Sequence, residues 1–252
     1  MNNLKYVEEV TKVIEKIDAT QTENIRAAAK LCADTIHTGK LVHLFGSGHS
    51  VLPTQDMFPR YGGVVGFHPC MDPRLMWNNV IGAGGARELL WIERQEGYIK
   101  NFLQSYNFQE GEVMIVYSHG GLNAAPIECA MYAKDHGMKV IVVTSGENFK
   151  KAKATHSSGK KLGDLADVLI DNCCPLEDSL VPIPGYAQKV GASSTIAAIT
   201  VTQSIASETA LLLEKSGYNM SIFVSPNVVE CPQSNNDDVY TNYTKLVRDN
   251  RN

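Results

Sequence analysis

The chain has 252 residues, of which 44% are hydrophobic and 20% charged, and its formal net charge is −4. This composition is that of a globular protein rather than a disordered one, and the length suits one large domain or two small ones. A nucleic acid is not expected as a partner, because binding to phosphate backbones needs clustered Lys and Arg. The one lysine-rich stretch, residues 150–161, also contains His, Ser and Gly, which is typical of a solvated loop.

The start of the chain and its cysteines indicate a compartment. No apolar segment follows Met1, so we expect no signal peptide. No run approaches the roughly 18 apolar residues that span a bilayer. The six cysteines form no C-x-x-C pair, so we interpret them as reduced thiols. These observations predict a cytoplasmic protein with no membrane partner.

The first 38 residues carry the pattern of helices. Apolar residues within the range Val7 to Ile17 share one helix face. The segment Thr20-Gln21-Thr22-Glu23 has a capping-box pattern, which predicts that a second helix starts there, and Gly39 is a natural C-terminal stop. We therefore expect residues 1–38 to form N-terminal helices that pack on one structural unit, residues 39–252.

Beyond Gly39 the pattern changes to short apolar runs with helical segments between them. Each run is almost continuously apolar, as a strand buried on both faces should be. Alternating strands and helices predict a parallel sheet with right-handed crossovers. The runs are residues 40–45, 113–117, 140–143 and 168–170, with a weaker candidate at 64–67 and a late edge strand at 222–224. A helical segment is predicted at 127–134 and a long helix at about 187–215.

Gly- and Ser-rich segments follow three of the predicted strands, at residues 46–50, 118–121 and 144–146. Ligands of such sheets bind outside the carboxyl ends of the strands. Gly lets the backbone approach an anion closely, and Ser adds neutral donors; Ser50 is also placed to cap the helix that carries Pro53. One such loop would be interpreted as a tight turn, but three at one sheet edge favour a site for a phosphomonoester.

The sequence does not match the known motifs for nucleotide binding or for hydrolases. Val51 stands where a dinucleotide fingerprint needs its third Gly, and no P-loop Lys is present. The segment His119-Gly120-Gly121 is similar to a hydrolase oxyanion loop, but no G-x-S-x-G nucleophile elbow accompanies it. We expect no cofactor.

Four segments, in order and spacing, resemble the sugar isomerase (SIS) domain, and the resemblance covers roughly residues 35 to 225. More narrowly, the chain is similar to the UPF0309 group of SIS proteins. The resemblance implies an α/β, flavodoxin-like three-layer αβα sandwich with a five-stranded parallel sheet after N-terminal helices. It also implies a phosphorylated sugar as ligand, and a homodimer or homotetramer with sites near subunit interfaces. The segments are residues 45–50, 117–121, 137–144 and 165–168.

The resemblance also implies which residues bind the ligand. Ser50 matches a phosphate-binding Ser of the family, with His49 beside it, and Ser118 matches the first Ser of the family pattern S-x-S-G-x-[ST]. Gly120 and Asn123 replace the other two hydroxyl positions. The predicted substrate-binding residues are Gly46, Ser47, Gly48, Ser50, Ser118, His119, Gly120, Gly121, Asn123, Thr144 and Ser145.

An aldose–ketose isomerase needs a base that moves a proton between adjacent carbons. The Glu and His of phosphoheptose isomerases do not carry over, because Arg60 and residues 193–195 stand there. The segment 84–96 instead resembles the one that carries the catalytic Glu of N-acetylmuramic acid 6-phosphate etherases. Glu93 is the first candidate for the general acid–base, followed by Glu96 at i+3 on the same helix face. Glu88 and His49 are further candidates, and a solvated helix face is the alternative.

The remaining polar and aromatic residues have simpler interpretations. His43, inside the first predicted strand, is expected to be a hydrogen-bonded core histidine. The segment His68-Pro69-Cys70 and the pair Cys173-Cys174 lack metal-ligand spacing, so no metal site is predicted. Trp77 and Trp91 are expected in the core or at an interface.

Two functions remain open from the sequence. The first is an enzyme that isomerises or eliminates on a sugar phosphate by Glu chemistry, which the Glu93 segment favours. The alternative is a non-catalytic phosphosugar sensor, which the missing family Glu and His favour. Residues 1–38 are too few and too weakly basic for a DNA-binding domain.

Overall fold

The structure is a computed structural model that describes residues 4–228, 230–232 and 234–249. Its first half contains α1 (Lys5–His37), β1 (Val42–Gly46), α2 (Leu52–Gln55), β2 (Phe67–Pro69), α3 (Ala86–Ile92), α4 (Tyr98–Leu103), β3 (Val113–Tyr117) and α5 (Ala124–Asp135). Its second half contains β4 (Lys139–Thr144), α6 (Gly146–Lys151), β5 (Val168–Asp171), β6 (Ser179–Pro182), β7 (Lys189–Ala192), α7 (Ser194–Lys215) and α8 (Asn235–Asp249).

Five parallel strands form one sheet in the order β2-β1-β3-β4-β5. This order is that of flavodoxin-like, doubly wound sheets. All residues of β1 and β3 are buried, which explains why their sequences are apolar without alternation. The predicted α/β sandwich with a five-stranded parallel sheet is confirmed.

The alternating side chains of the central strands supply two separate cores. Val113, Ile115 and Tyr117 of β3 face α1 and α7, whereas Met114 and Val116 face the side of α4 and α5. Burial on both faces stabilises the middle of the sheet most. It also fixes the position of the loops that leave the carboxyl ends of the strands.

The N-terminal segment is one continuous helix, and the prediction of two helices is wrong. The hydroxyls of Thr20 and Thr22 donate to the carbonyls of Lys16 and Asp18, one turn earlier, so they do not cap a new helix. Such back-bonding is compatible with a helix interior. The side-chain oxygen of Gln21 accepts from the N–H of Asp171 at the edge of the sheet, which fixes this polar segment against the core.

Three further boundaries differ from the sequence prediction. The weak second strand is shifted to Phe67–Pro69, and the late edge strand is only an isolated bridge between Val64 and Ile222. The last core helix starts at Ser194 rather than at residue 187. The residues before it form the second strand of the antiparallel hairpin β6–β7, a feature that the sequence analysis missed.

Helix α7 is long and apolar enough, by length and composition, to cross a membrane, with a mean hydropathy of 1.4 in its most apolar window. Eight of its residues are nevertheless buried, and it packs along α1 in the first core. A core helix passes the same composition test, so this apolarity is weak evidence for a membrane span.

Candidate functional site

The loops after β1, β3 and β4 meet at one edge of the sheet because the strands are parallel. We call residues 46–51 the first loop, residues 118–123 the second loop and residues 144–146 the third loop. Gly46 is required at the start of the first loop, because a Cβ atom there would lie 1.9 Å from the backbone oxygen of Ser50. The loop turns back on itself too tightly for any other residue.

The second and third loops are joined by hydrogen bonds around His119. Its backbone oxygen accepts from the N–H of Ser145 and from the hydroxyl of Thr144. The N–H of Gly121 donates to the hydroxyl of Ser118 at 3.1 Å. The sequence-predicted residues of these loops are therefore brought together at one edge.

A cleft lies between the first loop, the second loop and the first turn of α7. Residues of the first two loops, among them His49, Ser50, Ser118 and His119, line it together with Ser194 of α7. The space is about 10 Å³, which is room for about one water molecule. The cleft therefore has the predicted lining but must widen before it can hold a sugar phosphate.

Thr144 and Ser145 lie beneath the cleft rather than on its surface. Both are buried. The Ser145 hydroxyl donates to the carbonyl of Cys174 and accepts from the N–H of Asn148, which makes it the N-cap of α6. In this structure the two hydroxyls form hydrogen bonds that fix the third loop to the carbonyls of His119 and Cys174.

Ser50 does not cap the helix that carries Pro53, so that prediction is wrong. Ser50 lies inside a short 3₁₀ turn, Gly48–Val51, and α2 begins after Val51 without a side-chain cap. The Ser50 hydroxyl is consequently left at the cleft, where the turn presents it beside His49.

Glu93 is the side chain that joins the first and second loops. Its carboxylate accepts a 2.7 Å hydrogen bond from the Ser47 hydroxyl and a 2.8 Å hydrogen bond from the Asn123 side-chain amide. Its backbone oxygen also accepts from the N–H of Ala125 at the start of α5. Only 5% of Glu93 is exposed. Ser47 and Asn123, predicted to bind ligand, both hold Glu93 in place.

The environment of Glu93 favours its neutral form. Burial raises the pKa of Glu93, while the hydrogen bond from Ser47 and the charge of Arg94 oppose that rise without cancelling it. A carboxyl group with a raised pKa is suited to acid–base chemistry near neutral pH.

Glu96 and Glu88 lie apart from Glu93, and the predicted shared helix face is wrong. Helix α3 ends at Ile92, with Glu93 at its C-cap, so the i, i+3 geometry does not continue to Glu96. The Glu96 carboxylate instead accepts hydrogen bonds from the N–H and hydroxyl of Ser157, which lower its pKa. Glu88 is exposed and accepts from the N–H of Gly84.

A second cavity, of about 360 Å³, lies on the other side of Asn123. Arg94, Glu96 and His156 contribute its charged and titratable lining. This volume is within the range of small-molecule pockets. The His156 side chain is only 6% exposed, and its Nε2 lies 3.5 Å from a Glu128 carboxylate oxygen. The lysine-rich stretch is thus not a wholly solvated loop, and the sequence analysis missed His156.

The two tryptophans are not core residues. Trp77 is 36% exposed and Trp91 63% exposed. The Trp77 ring lies 5.1 Å from the His49 ring, and a Cβ atom on Gly48 would lie 3.3 Å from its indole nitrogen. Trp77 therefore flanks the first loop, where it limits how His49 can turn.

Two groups of side chains have the composition of metal ligands. One is His43, His68 and Cys70, all buried, and the other is Glu96, Glu128 and His156 beside the second cavity. His43 is hydrogen-bonded in the core, as predicted.

Comparisons with known proteins find similarity in both sequence and fold. A family model of the SIS domain matches residues 5–145. A UPF0309 protein of Thermoanaerobacter pseudethanolicus is 35% identical over 249 residues, covering 97% of this chain and 98% of that protein. A UPF0309 protein of Caldanaerobacter subterraneus is 34% identical, covering 96% and 98%. The structure of phosphoheptose isomerase GmhA from Neisseria gonorrhoeae has a TM-score of 0.53 at 16% identity, covering 81% of this chain and 95% of that one, which supports the likeness of fold alone.

Proposed function

Because the chain belongs to the SIS domain family and to its UPF0309 group, we propose that it binds a phosphorylated sugar at the loop edge and isomerises it or eliminates from it, with Glu93 as general acid–base. The observation that carries this proposal is the position of Glu93. A buried carboxylate is held by neutral donors from two loops of the type that the family uses for its ligand.

The surroundings of Glu93 suit proton transfer. None of the ion pairs between the described residues involves Glu93. The hydrogen bond from Ser47 and the charge of Arg94 favour its ionised form, but burial outweighs them and raises its pKa. A carboxyl group whose pKa is raised in this way can both accept and release a proton more readily near neutral pH. Removal of a proton beside a carbonyl carbon is the step that isomerisation and elimination share, so one Glu serves either reaction.

The phosphate is assigned to the cleft lined by Ser50 and Ser118. Both residues line it from successive loops, with the imidazoles of His49 and His119 nearby. Hydroxyl and backbone donors suit a phosphate dianion. Because the cleft now holds about 10 Å³, binding must separate the first loop from α7.

The cavity beside Asn123 is the competing location for the ligand. It has about 360 Å³ and a cationic side chain, Arg94, and it also borders a residue that holds Glu93. Ser118→Ala weakens binding if phosphate occupies the cleft, whereas Arg94→Ala weakens it if phosphate occupies the cavity. This pair of variants locates the anion independently of catalysis.

The alternative function is a phosphosugar sensor without catalysis. The closed cleft favours it, since a sensor must couple ligand binding to a change of shape. Arg60, which stands where phosphoheptose isomerases have a Glu, forms an ion pair with Asp56 and is exposed. The chain thus lacks that acid, and the enzyme proposal depends on Glu93 in its place.

A screen of sugar phosphates by thermal shift, with the matching neutral sugars as controls, tests the binding proposal. NMR of each hit in deuterated water then tests catalysis. Exchange of a carbon-bound proton that Glu93→Gln abolishes and Glu88→Gln preserves supports the enzyme. Binding without exchange supports the sensor, and stabilisation by neutral sugars alone contradicts both.

We extend the proposal to location and assembly. The six cysteines are unpaired, which supports a reducing compartment such as the cytoplasm. Helix α7 leaves Ile196, Leu211 and Leu212 exposed, which supports a homodimer or homotetramer in which this face is covered. Light scattering after size-exclusion chromatography tests the assembly, and a monomer at micromolar concentration contradicts it.

A further inference from the structure

Three side chains converge on the α4–α5 face of the sheet, one from β1 and two from a later segment that begins in β2. His43 of β1 and His68 of β2 are direct partners in the parallel register, so their side chains point to the same face. Cys70 follows two residues after His68 and therefore returns to that face. The three residues are 3%, 8% and 0% exposed. The cluster arises from strand pairing, which is why sequence spacing predicted no metal site there.

The donor atoms of this cluster are hydrogen-bonded to one another at separations close to those of metal ligands. His43 Nδ1 lies 3.0 Å from His68 Nδ1 and 3.8 Å from Cys70 Sγ, and all three donor atoms lie within 4.8 Å of one another. Zinc bonds of about 2.0–2.1 Å to nitrogen and about 2.3 Å to sulfur place tetrahedral ligands roughly 3.3 to 3.6 Å apart. Small side-chain shifts therefore suffice to enclose an ion.

Glu112 supplies the outer contact that such sites use. Its carboxylate oxygen lies 3.0 Å from His43 Nε2 and also accepts from the N–H of Gln109. In the tautomer with its proton on Nε2, His43 donates to this carboxylate and keeps the Nδ1 lone pair facing His68 and Cys70. A histidine that binds metal through one nitrogen and a carboxylate through the other is the usual arrangement in zinc sites.

Charge is a separate argument for a cation. Glu112 is fully buried, and among the described residues its ion-pair partner is His43 alone, with no Lys or Arg. Glu112 has hydrogen bonds with His43 and Gln109, but a buried carboxylate that has no Lys or Arg partner is costly. A divalent ion that binds the Cys70 thiolate would carry two positive charges against one thiolate and one carboxylate, which gives a neutral cluster.

We propose that His43, His68 and Cys70 bind a Zn²⁺ ion, with Glu112 as the positioning residue that orients His43. Zinc binding forms the Sγ–Zn bond and transfers the Cys70 thiol proton to solvent. Three protein ligands leave one tetrahedral position for an oxygen, and the Tyr106 hydroxyl, a hydrogen-bond partner of Cys70, is one such oxygen. The ion would tie the edge strand β2 to β1, so its role is structural and separate from that of Glu93.

Cobalt provides a spectroscopic test of this site. Because the cluster is buried, the full chain is expressed in medium with Co²⁺, so that the ion is present during folding. We expect one Co²⁺ per chain, with the charge-transfer absorption of a thiolate ligand and the visible bands of tetrahedral Co²⁺. Growth with Zn²⁺ instead should give one Zn²⁺ per chain by elemental analysis.

Variants make the assignment specific to Cys70. Cys70→Ser should remove the thiolate absorption, whereas Cys32→Ala, which alters a buried thiol in the other core, should retain it. The carboxylate–imidazole cluster of Glu96, Glu128 and His156 has no thiol and cannot produce that band. The proposal is overturned if folded wild-type protein lacks the thiolate band after growth with Co²⁺, or if the band is retained in Cys70→Ser. The wild-type measurement tests the proposal even if a variant fails to fold.

Discussion

The Ser47 hydroxyl donates a 2.7 Å hydrogen bond to the Glu93 carboxylate, which joins the first loop to the end of α3. The two residues are 46 positions apart in sequence. Because the Asn123 amide binds the other carboxylate oxygen, Glu93 is fixed between two loops before any ligand arrives. Such preorganisation is what a general acid–base requires.

Glu93→Gln should greatly slow proton exchange on the ligand while the protein stays folded. Gln keeps the shape and can accept from Ser47, but it carries no titratable proton. General acid–base catalysis contributes on the order of 10²–10⁴-fold, so we expect a loss of that size in the exchange rate measured by NMR. Glu88→Gln, at an exposed carboxylate within α3, which Glu93 terminates, is the matched control. Unchanged exchange in Glu93→Gln would remove Glu93 from the mechanism.

Glu93 should also make stability depend on pH. Its pKa in the folded state is raised above the ordinary value of 4.5 by burial, so the folded state binds the proton more tightly than the unfolded state. The stabilisation that protonated Glu93 provides is complete below about pH 4.5 and is lost as the pH rises through the pKa of the folded state. Urea unfolding across that range should show a decline in wild type that Glu93→Gln lacks. Parallel curves for the two proteins would contradict the raised pKa.

Asp178, which precedes β6 and accepts hydrogen bonds from Ser193 and Ser194 at the start of α7, should give stability the opposite pH dependence. Burial acts to raise its pKa, but hydrogen bonds from Ser194 and Ser193 outweigh it and lower the pKa below 3.8. Its contribution is therefore present above pH 3.8 and lost as pH falls through the lower folded value. Asp178→Asn removes the charge facing the helix N-terminus, and hydrogen bonds to charged groups are worth about 1.5–3 kcal/mol.

Acid titration of thermal unfolding checks the Asp178 prediction. Wild type should lose stability on acidification more steeply than Asp178→Asn, and at neutral pH the variant should be the less stable protein. Asp237→Asn, at an exposed position in the first turn of α8, is a suitable comparison. Equal stability of wild type and Asp178→Asn at neutral pH would show that the bonds to Ser193 and Ser194 contribute little.

Much of the sheet was predictable, because β1, β3 and β4 are buried on both faces and their apolar runs have no other interpretation. Glu93 was predictable only through the family resemblance. The end of α3 at Ile92 was not, since it depends on how the next turn packs against α5. The capping-box pattern at Thr20 misled because a tertiary contact, Gln21 with Asp171, holds the helix continuous.

The features that sequence analysis missed depend on long-range pairing. His43 and His68 meet because of strand register, and His156 reaches Glu128 because its loop folds back over α5. Neither contact produces a periodic pattern in the local sequence, so neither could be predicted from it. The positions that require Gly, by contrast, were visible as Gly-Ser-Gly and His-Gly-Gly segments, although only coordinates distinguish which Gly is indispensable.

Gly46→Ala should destroy the first loop, because its new Cβ atom would lie 1.9 Å from the Ser50 backbone oxygen. The backbone must then move, which displaces both Ser47 and Ser50. We expect destabilisation of about 1–3 kcal/mol in urea unfolding and loss of ligand-induced thermal shift. Gly120→Ala is the matched control, since nothing lies within 4 Å of a Cβ atom there. A Gly46→Ala protein with wild-type stability and binding would mean that the first loop differs from this structure.

Gly120→Ser should strengthen phosphate binding. Gly120 occupies the position where the family pattern has its second Ser, and its backbone does not require Gly, because its φ is not in the left-handed region and the space around a Cβ atom is open. A Ser hydroxyl can therefore be added without strain, and a hydrogen bond to a charged group is worth about 1.5–3 kcal/mol. That range corresponds to roughly a tenfold to hundredfold lower Kd for a sugar phosphate, measurable by calorimetry, with no change for the neutral sugar. A gain for both ligands would assign the new hydroxyl to the sugar, and an unchanged Kd for both would contradict a phosphate position at the second loop.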